Sequence, residues 1–282
     1  MPTHTVYRLP QRTSINSLTP SARDLQVATD RYSMPVRDNV IPCSDGAGDI
    51  VEVGDGVREV RTGDRVGQQG GSIDGVLAQY VVRPASCGVK VSETARQSYS
   101  ELASLVCTGV TAWNGLFGNV QLKPGQAVLV QGTGGISLTA LVLAKAAGAT
   151  TIITSSSNDK LRKVQEKSQP DYTINYKEYP EWGSRARELI GGQGVDHILE
   201  IGGIGTIEQS IEALDLALRK AAVIRGILIG PKCMLEELVM FADRRKLKLP
   251  VEKEFGFERE EVLKAYQELE TGALGKVCIR VD

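Results

Sequence analysis

The clearest chemical signal in this chain of 282 residues is the run Gly132-Thr133-Gly134-Gly135-Ile136-Ser137. It follows the near-continuous apolar stretch Ala127-Val128-Leu129-Val130-Gln131 and opens a helical pattern from Ile136 to Ala147, ended by Gly148. A turn without bulky side chains lets backbone approach a diphosphate, while the helix N-terminus presents unpaired N–H groups to it. Gly132, Thr133, Gly134, Gly135 and Ile136 are therefore the expected cofactor-binding residues of the loop. Ser137 stands where a third glycine is common, and is small enough for helix and strand to pack closely. The simpler alternative is a plain turn in an α/β protein.

The next strand, Thr151 to Thr154, leads into Ser155, which lies 23 residues past Gly132. An NAD site expects an Asp or Glu there to hold the ribose 2′-hydroxyl. This chain has Ser155-Ser156-Ser157-Asn158-Asp159-Lys160 instead. Hydroxyls and an ammonium group suit a 2′-phosphate, so the expected cofactor is NADP(H). The plainer reading is that Ser157 or Asn158 caps a helix and Asp159 complements its dipole. Different residues carry the two readings, so both can hold.

The elements that must position these residues alternate between strand and helix from about residue 100 onward. A helical pattern begins at Ser100-Glu101-Leu102-Ala103 and runs to about Leu116, and Lys123-Pro124-Gly125 makes a turn. Helices are expected at Lys160–Lys167, Trp182–Ile190, from Thr206 onward, at Leu235–Arg245 and at Glu258–Glu270. Strands are expected at Tyr172–Asn175, Val195–Ile201, Ala222–Ile229 and Lys276–Val281. Such alternation implies a parallel sheet with right-handed crossovers. The first hundred residues read differently, as short strands at Thr5–Leu9, Asp49–Val53, Arg65–Val66 and Ala78–Val82. Turn clusters separate them: Asp45-Gly46-Ala47-Gly48, Gly54-Asp55-Gly56 and Gly67 to Gly71. This texture suits a small barrel or sandwich.

Composition narrows the function classes. The 33 Lys+Arg balance 34 Asp+Glu, which argues against nucleic acid or an acidic membrane as partner. Five scattered cysteines without a C-x-x-C pair read as a reduced intracellular protein. Met1–Pro10 lacks the apolar core of a signal peptide. The uncharged stretches Leu102–Leu122 and Pro124–Ala144 are broken by Gly, Ser, Thr, Asn or Gln, so neither reads as a membrane span. The expected location is the cytoplasm.

Several stretches resemble the medium-chain dehydrogenase/reductase superfamily, in its zinc-independent quinone-oxidoreductase and zinc-type-alcohol-dehydrogenase-like branch. They are Asp38 through Gly48, Gly63-Asp64-Arg65-Val66, Cys107 through Trp113, the glycine loop, Ile174-Asn175-Tyr176 and Gly275-Lys276-Val277. The resemblance implies an α/β fold: a Rossmann doubly wound parallel sheet at 106–248, plus a GroES-like β-rich catalytic domain from 1–105 and 249–282. It implies that Ser155, Ser156, Lys160 and Tyr176 contact the 2′-phosphate, and that Thr111 lies near the nicotinamide. It also implies hydride transfer from NADPH to a small-molecule quinone or α,β-unsaturated carbonyl, in which conjugation spreads the developing charge.

Zinc is not expected. Zinc enzymes of the family use a Cys, the His of a G-H-E motif and a second Cys. Here the first position falls near Ser21, the G-H-E positions read Cys43-Ser44-Asp45, and only Cys107 matches. One thiol falls short of the three protein ligands such a site needs. His4 and His197 lie at no ligand spacing, and His197 reads as a structural residue. No catalytic acid is assigned: where relatives carry a motif with tyrosine, this chain has Ser21-Ala22-Arg23-Asp24. Arg23 and Asp24 read more simply as a structural pair on a turn.

Three family segments look shortened. The early apolar strand is missing, because Thr13–Ser21 is polar. An active-site loop after Val66 is reduced to Gly67-Gln68-Gln69-Gly70. After Leu214, Asp215-Leu216-Ala217-Leu218-Arg219-Lys220 stands where a turn and a further sheet strand belong. The last loss leaves Val195–Ile201 facing a gap unless Ala222–Ile229 moves in beside it. Reduced turnover is expected. A nucleotide-binding protein with weak or no catalysis and a zinc-type alcohol dehydrogenase stay open as alternatives. Pairing of Ala222–Ile229 with its mate in a homodimer also stays open.

Overall fold

A computed structural model describes residues 10–33, 35, 36, 38–69, 74–214 and 221–281. The expected strand Thr5–Leu9, His4, Gly70, Gly71 and the segment Asp215–Lys220 lie outside these residues. In chain order, the first elements are β1 (Pro10–Thr19), α1 (Ala22–Ala28), β2 (Asp45–Val53), β3 (Arg65–Gln69) and β4 (Tyr80–Pro84). Next come β5 (Val89–Lys90) and α2 (Tyr99–Ser104), and a π-turn at Leu105–Gly109 leads into α3 (Val110–Phe117). Then follow β6 (Ala127–Gln131), α4 (Gly135–Ala146), β7 (Thr150–Ser155), α5 (Asn158–Ser168), β8 (Tyr172–Asn175) and α6 (Trp182–Leu189). After these lie β9 (His197–Leu199), α7 (Ile207–Ala213), α8 (Lys232–Arg244), β10 (Val251–Phe255), α9 (Arg259–Glu270) and β11 (Lys276–Arg280). The chain divides into two units: Met1–Cys107 with Pro231–Gly272 and Lys276–Asp282, and Thr108–Gly230 with Ala273–Gly275.

The first unit holds a seven-stranded sheet in the order β10-β11-β1-β2-β3-β5, with β4 also paired to β1. Its central strand corrects the sequence reading, in which Thr13–Ser21 was too polar for a strand. Residues Gln11, Thr13, Ile15 and Ser17 alternate inward and are buried. Internal partners satisfy the inward hydroxyls: Ser17 Oγ lies 2.9 Å from Ser100 Oγ, and Thr19 Oγ1 donates to Asp45 Oδ2 at 3.4 Å. Pairing to β2, β4 and β11 satisfies the backbone, so the ladder rather than an apolar stripe defines the strand.

Asp45-Gly46-Ala47-Gly48 is likewise strand, the first half of β2, and not a turn. The glycines serve close approach: a Cβ on Gly48 would lie 1.9 Å from the Ser14 carbonyl oxygen of β1. Gly67–Gln69, expected in a loop, continues β3 and pairs with Asp45–Ala47. Strand β10 has no counterpart in the sequence reading; its charged Val-Glu-Lys-Glu-Phe sequence suits the sheet edge that it forms.

The second unit carries a parallel four-stranded sheet in the order β8-β7-β6-β9. Strand β6 is buried at every position, as a strand covered on both faces must be. Two expectations fail beside it. The strand expected over Val195–Ile201 contracts to His197–Leu199. Ala222–Ile229 forms no strand, and leaves Val223, Ile224 and Leu228 exposed at 61%, 77% and 80%. Its polar ties run instead to α3: Arg225 Nη1 donates to Asn114 Oδ1 at 2.8 Å, and Asn114 Nδ2 donates to the Ile229 carbonyl at 2.6 Å.

Candidate functional site

Apolar β6 drives the chain to the C-terminal edge of the parallel sheet, where Gly132 turns it with φ of +70°, a conformation that costs glycine little. Its N–H donates to the Thr154 carbonyl at 2.9 Å, fixing the turn against β7. Gly134 is extended and exposed, and caps α4 without any side-chain hydrogen bond. The first N–H groups of α4 are therefore left without a side-chain acceptor. A Cβ on Gly132 or Gly134 would meet nothing within 4 Å, so open space lies over both. Thr133 is held from behind, its carbonyl accepting from Gly275 N at 2.9 Å. Buried Ser137 donates its hydroxyl to the Gln131 carbonyl, tying α4 to β6.

One strand over, β7 ends at buried Ser155 and passes into half-buried Ser156. Ser157 caps α5, its Oγ accepting from Lys160 N at 3.3 Å, so the helix-cap reading holds for that residue. Tyr176 follows β8 with an exposed ring, and its N–H donates to the Ser155 carbonyl at 3.0 Å. Backbone pairing thus brings Ser155, Ser156 and Tyr176 together beside the first turn of α5, which carries Lys160.

The sequence reading missed Glu178 in this corner. Its carboxylate accepts from Asn158 Nδ2 and from Asn175 Nδ2, the latter at 3.2 Å, while Asn175 Nδ2 also donates to Asn158 Oδ1 at 2.8 Å. The Asn175–Glu178 spacing at a strand end was the available signal. Thr111 of α3 and Ile136 of α4 line one cleft of about 690 Å³, which also runs along β9.

At the end of β9, Glu200 organises the next loop. Although burial would raise its pKa, hydrogen bonds from Ser210, Thr206, Gln131 and the Gly203 N–H hold it below the ordinary glutamate value. His197 within β9 is 8% exposed, and burial lowers its pKa, so it is neutral at physiological pH. Its Nε2 has no hydrogen-bond partner among the described residues.

The residues at the family's zinc positions lie in the other unit. Arg23 and Asp24, expected on a turn, are in α1: Asp24 closes a capping box with Ser21 and accepts from Cys43 N at 3.1 Å. Arg23 donates from its guanidinium to Ser44 Oγ. Burial pushes Asp45 up to about 7 against the opposing pull of Lys276, whose Nζ lies 3.9 Å away. Burial, with Asp45, pushes the Cys107 thiol up to about 12. Ser44 and the neutral Cys107 thiol are poor zinc donors, and the cations of Arg23 and Lys276 stand beside them. Among the described residues no group of three His, Cys, Asp or Glu side chains could hold a metal ion. The residues present do not fit zinc.

Comparison with known proteins bears on the whole chain. Residues 14–93 match the alcohol dehydrogenase GroES-like domain, and residues 135–258 match the zinc-binding dehydrogenase family. A zinc-type alcohol dehydrogenase-like protein of Schizosaccharomyces pombe is 35% identical over 306 residues, covering 92% of this chain and 87% of that protein. The crystal structure of a putative alcohol dehydrogenase from Sinorhizobium meliloti superposes with a TM-score of 0.88 at 31% identity, over 99% of this chain and 93% of that one. A quinone oxidoreductase from Coxiella burnetii, at 22% identity and a TM-score of 0.78, covering 100% and 93%, shares the fold. The chain belongs to the medium-chain dehydrogenase/reductase superfamily, with a GroES-like domain and a Rossmann sheet. It is an oxidoreductase of that family, and no helix among the described residues is long and apolar enough to cross a membrane.

Proposed function

We propose that this oxidoreductase is a zinc-independent NADPH-dependent reductase of a quinone or an α,β-unsaturated carbonyl, cytoplasmic and homodimeric. The observation that carries the cofactor choice is the corner formed by Ser155, Ser156, Lys160 and Tyr176, with hydroxyls and an ammonium group but no carboxylate at the end of β7. Bound NADPH supplies the hydride. The glycine turn from Gly132 to Ile136 receives the diphosphate at the start of α4, the Ser–Lys–Tyr corner holds the 2′-phosphate, and Thr111 lies beside the nicotinamide. The misfit of zinc to Ser44, Asp45 and Cys107 favours an acceptor polarised by its own conjugation. Fluorescence titration with NADPH and NADH side by side tests this reading. NADPH is expected to bind at least tenfold more tightly, a difference of about 1.4 kcal/mol. Preference for NADH, or no binding of either at millimolar concentration, refutes it.

A second reading, nucleotide binding with little or no turnover, is favoured by one observation, the cleft along the open side of β9. Steady-state assays with NADPH and simple quinones separate the two. Rates normal for the family support the reductase, and tight NADPH binding without turnover supports the alternative.

A further inference from the structure

Gln131 ends β6 and Glu200 follows β9, so two neighbouring parallel strands deliver an amide and a carboxylate to one edge of the sheet. Gln131 directly precedes the glycine turn. Glu200 directly precedes a second glycine-rich turn, Ile201-Gly202-Gly203-Ile204-Gly205. The two side chains meet, Gln131 Nε2 donating to Glu200 Oε2 at 2.8 Å. Gln131 Nε2 also donates to Ser210 Oγ at 2.8 Å, and its Oε1 accepts from Ile201 N at 3.2 Å and Gly202 N at 3.1 Å. Glu200 Oε1 accepts from Gly202 N at 2.8 Å, Gly203 N at 2.9 Å and Thr206 Oγ1 at 2.6 Å, while its Oε2 also accepts from Ser210 Oγ. A carboxylate suits this place because it only accepts, and so gathers donors from an amide, two hydroxyls and two backbone N–H groups.

The two turns differ in what holds them. The first is braced from three sides, at Thr154, at Gly275 and by the Ser137 hydroxyl. The second gains little from packing, since residues 201–205 are exposed and Ile204 is 97% exposed. Its place is set by the hydrogen bonds that converge on Glu200 and Gln131. Glu200, Ile201 and Ser210 line the cleft that Thr111 and Ile136 also line. The carboxylate–amide pair therefore fixes one wall of that cleft relative to the glycine turn.

We propose that Glu200, acting through Gln131, is a positioning residue that holds the turn at 201–205 against the nicotinamide end of the bound coenzyme. This rests on the reading that places Thr111 beside the nicotinamide. The adenosine end, at Ser155, Ser156, Lys160 and Tyr176, lies on the other side of β6 and does not depend on the pair.

Glu200→Gln keeps the shape of the side chain but sets an amide among donors. Whichever way that amide turns, its NH2 faces either the Gln131 amide or the N–H groups of Gly202 and Gly203. Exchanging the two groups, in Gln131→Glu/Glu200→Gln, gives every donor an acceptor again. The full-length variants are titrated by calorimetry with NADPH and with adenosine 2′,5′-bisphosphate, which lacks the nicotinamide. Glu200→Gln is expected to weaken NADPH about tenfold and to leave the bisphosphate within about twofold of wild type. The exchanged pair returns NADPH to within about threefold of wild type. Thr206→Val, which deletes one bond at the loop, gives the same pattern at about threefold and carries the test if Glu200→Gln does not fold.

An unchanged NADPH titration overturns the proposal. So does an equal loss for both ligands, which marks a general support of the fold, or a loss that the exchanged pair does not restore. A wild-type chain that binds neither ligand refutes the cofactor reading itself, and the proposal with it.

Discussion

The two sides of β6 differ in completeness. Toward β7 and β8 the parallel ladder runs unbroken, from Ala127 opposite Thr150 to Gln131 opposite Thr154, then from Ile152 opposite Tyr172 to Ser155 opposite Asn175. Toward β9 only three residues pair, and a cleft follows. The complete side carries the glycine turn and the hydroxyl corner, so the proposed grip on the diphosphate and 2′-phosphate lies away from the strand position left open on the other side. Affinity and turnover can therefore part company in this chain.

Substitutions can break that contrast. The largest expected effect is at Gly134, where a side chain has room to exist but would occupy the space above the turn. Gly134→Leu should leave the melting temperature unchanged and raise the NADPH Kd about 100-fold, or ~2.7 kcal/mol. Unchanged binding would mean that the turn is not the grip. Next, Ser156→Asp places a carboxylate where the 2′-phosphate is proposed. Titration should show a loss of about 2 kcal/mol for NADPH, the scale of one charged hydrogen bond, with a gain for NADH.

Asp45→Asn is the control from the other unit. Its raised pKa makes the folded state hold a proton that the unfolded state releases. That contribution to stability is complete below about pH 4 and lost as pH rises to about 7. Urea unfolding followed by circular dichroism should show the stability of Asp45→Asn gaining on wild type by about 1.4 kcal/mol per pH unit between pH 5 and 7. Its NADPH titration should not move. The smallest effect is Glu178→Gln, which removes a partly solvated charge near the hydroxyl corner. NADPH binding should tighten by less than about 1 kcal/mol.

What was legible in the sequence follows the same division. Strands β6, β7 and β8 and helices α4, α5 and α6 announce themselves through apolar runs, caps and breakers, and the proposed cofactor residues lie at their ends. Polar β1 was hidden because its inward residues include hydroxyls whose partners lie far along the chain, such as Ser100 for Ser17. The glycines of β2 looked like turn formers because Ser14, the atom group that demands them, is 34 residues from Gly48 in sequence. Ala222–Ile229 reads as a strand by propensity, yet it pairs with no described strand, and its polar ties run to Asn114 of α3 instead. Glu178 escaped notice because its partners come from two elements, Asn158 at the start of α5 and Asn175 at the end of β8.

The register of β1 and β11 has a consequence for biosynthesis. Ser17 sits opposite Arg280, and its hydroxyl reaches the Ile279 carbonyl across 262 positions of chain. Gly275, a few residues earlier, braces the glycine turn at Thr133. A ribosome must therefore synthesise the chain through β11 before β1 finds a partner on that side, and the turn at Thr133 waits for Gly275 as well. Nascent chains stay exposed to chaperones and proteases throughout that interval.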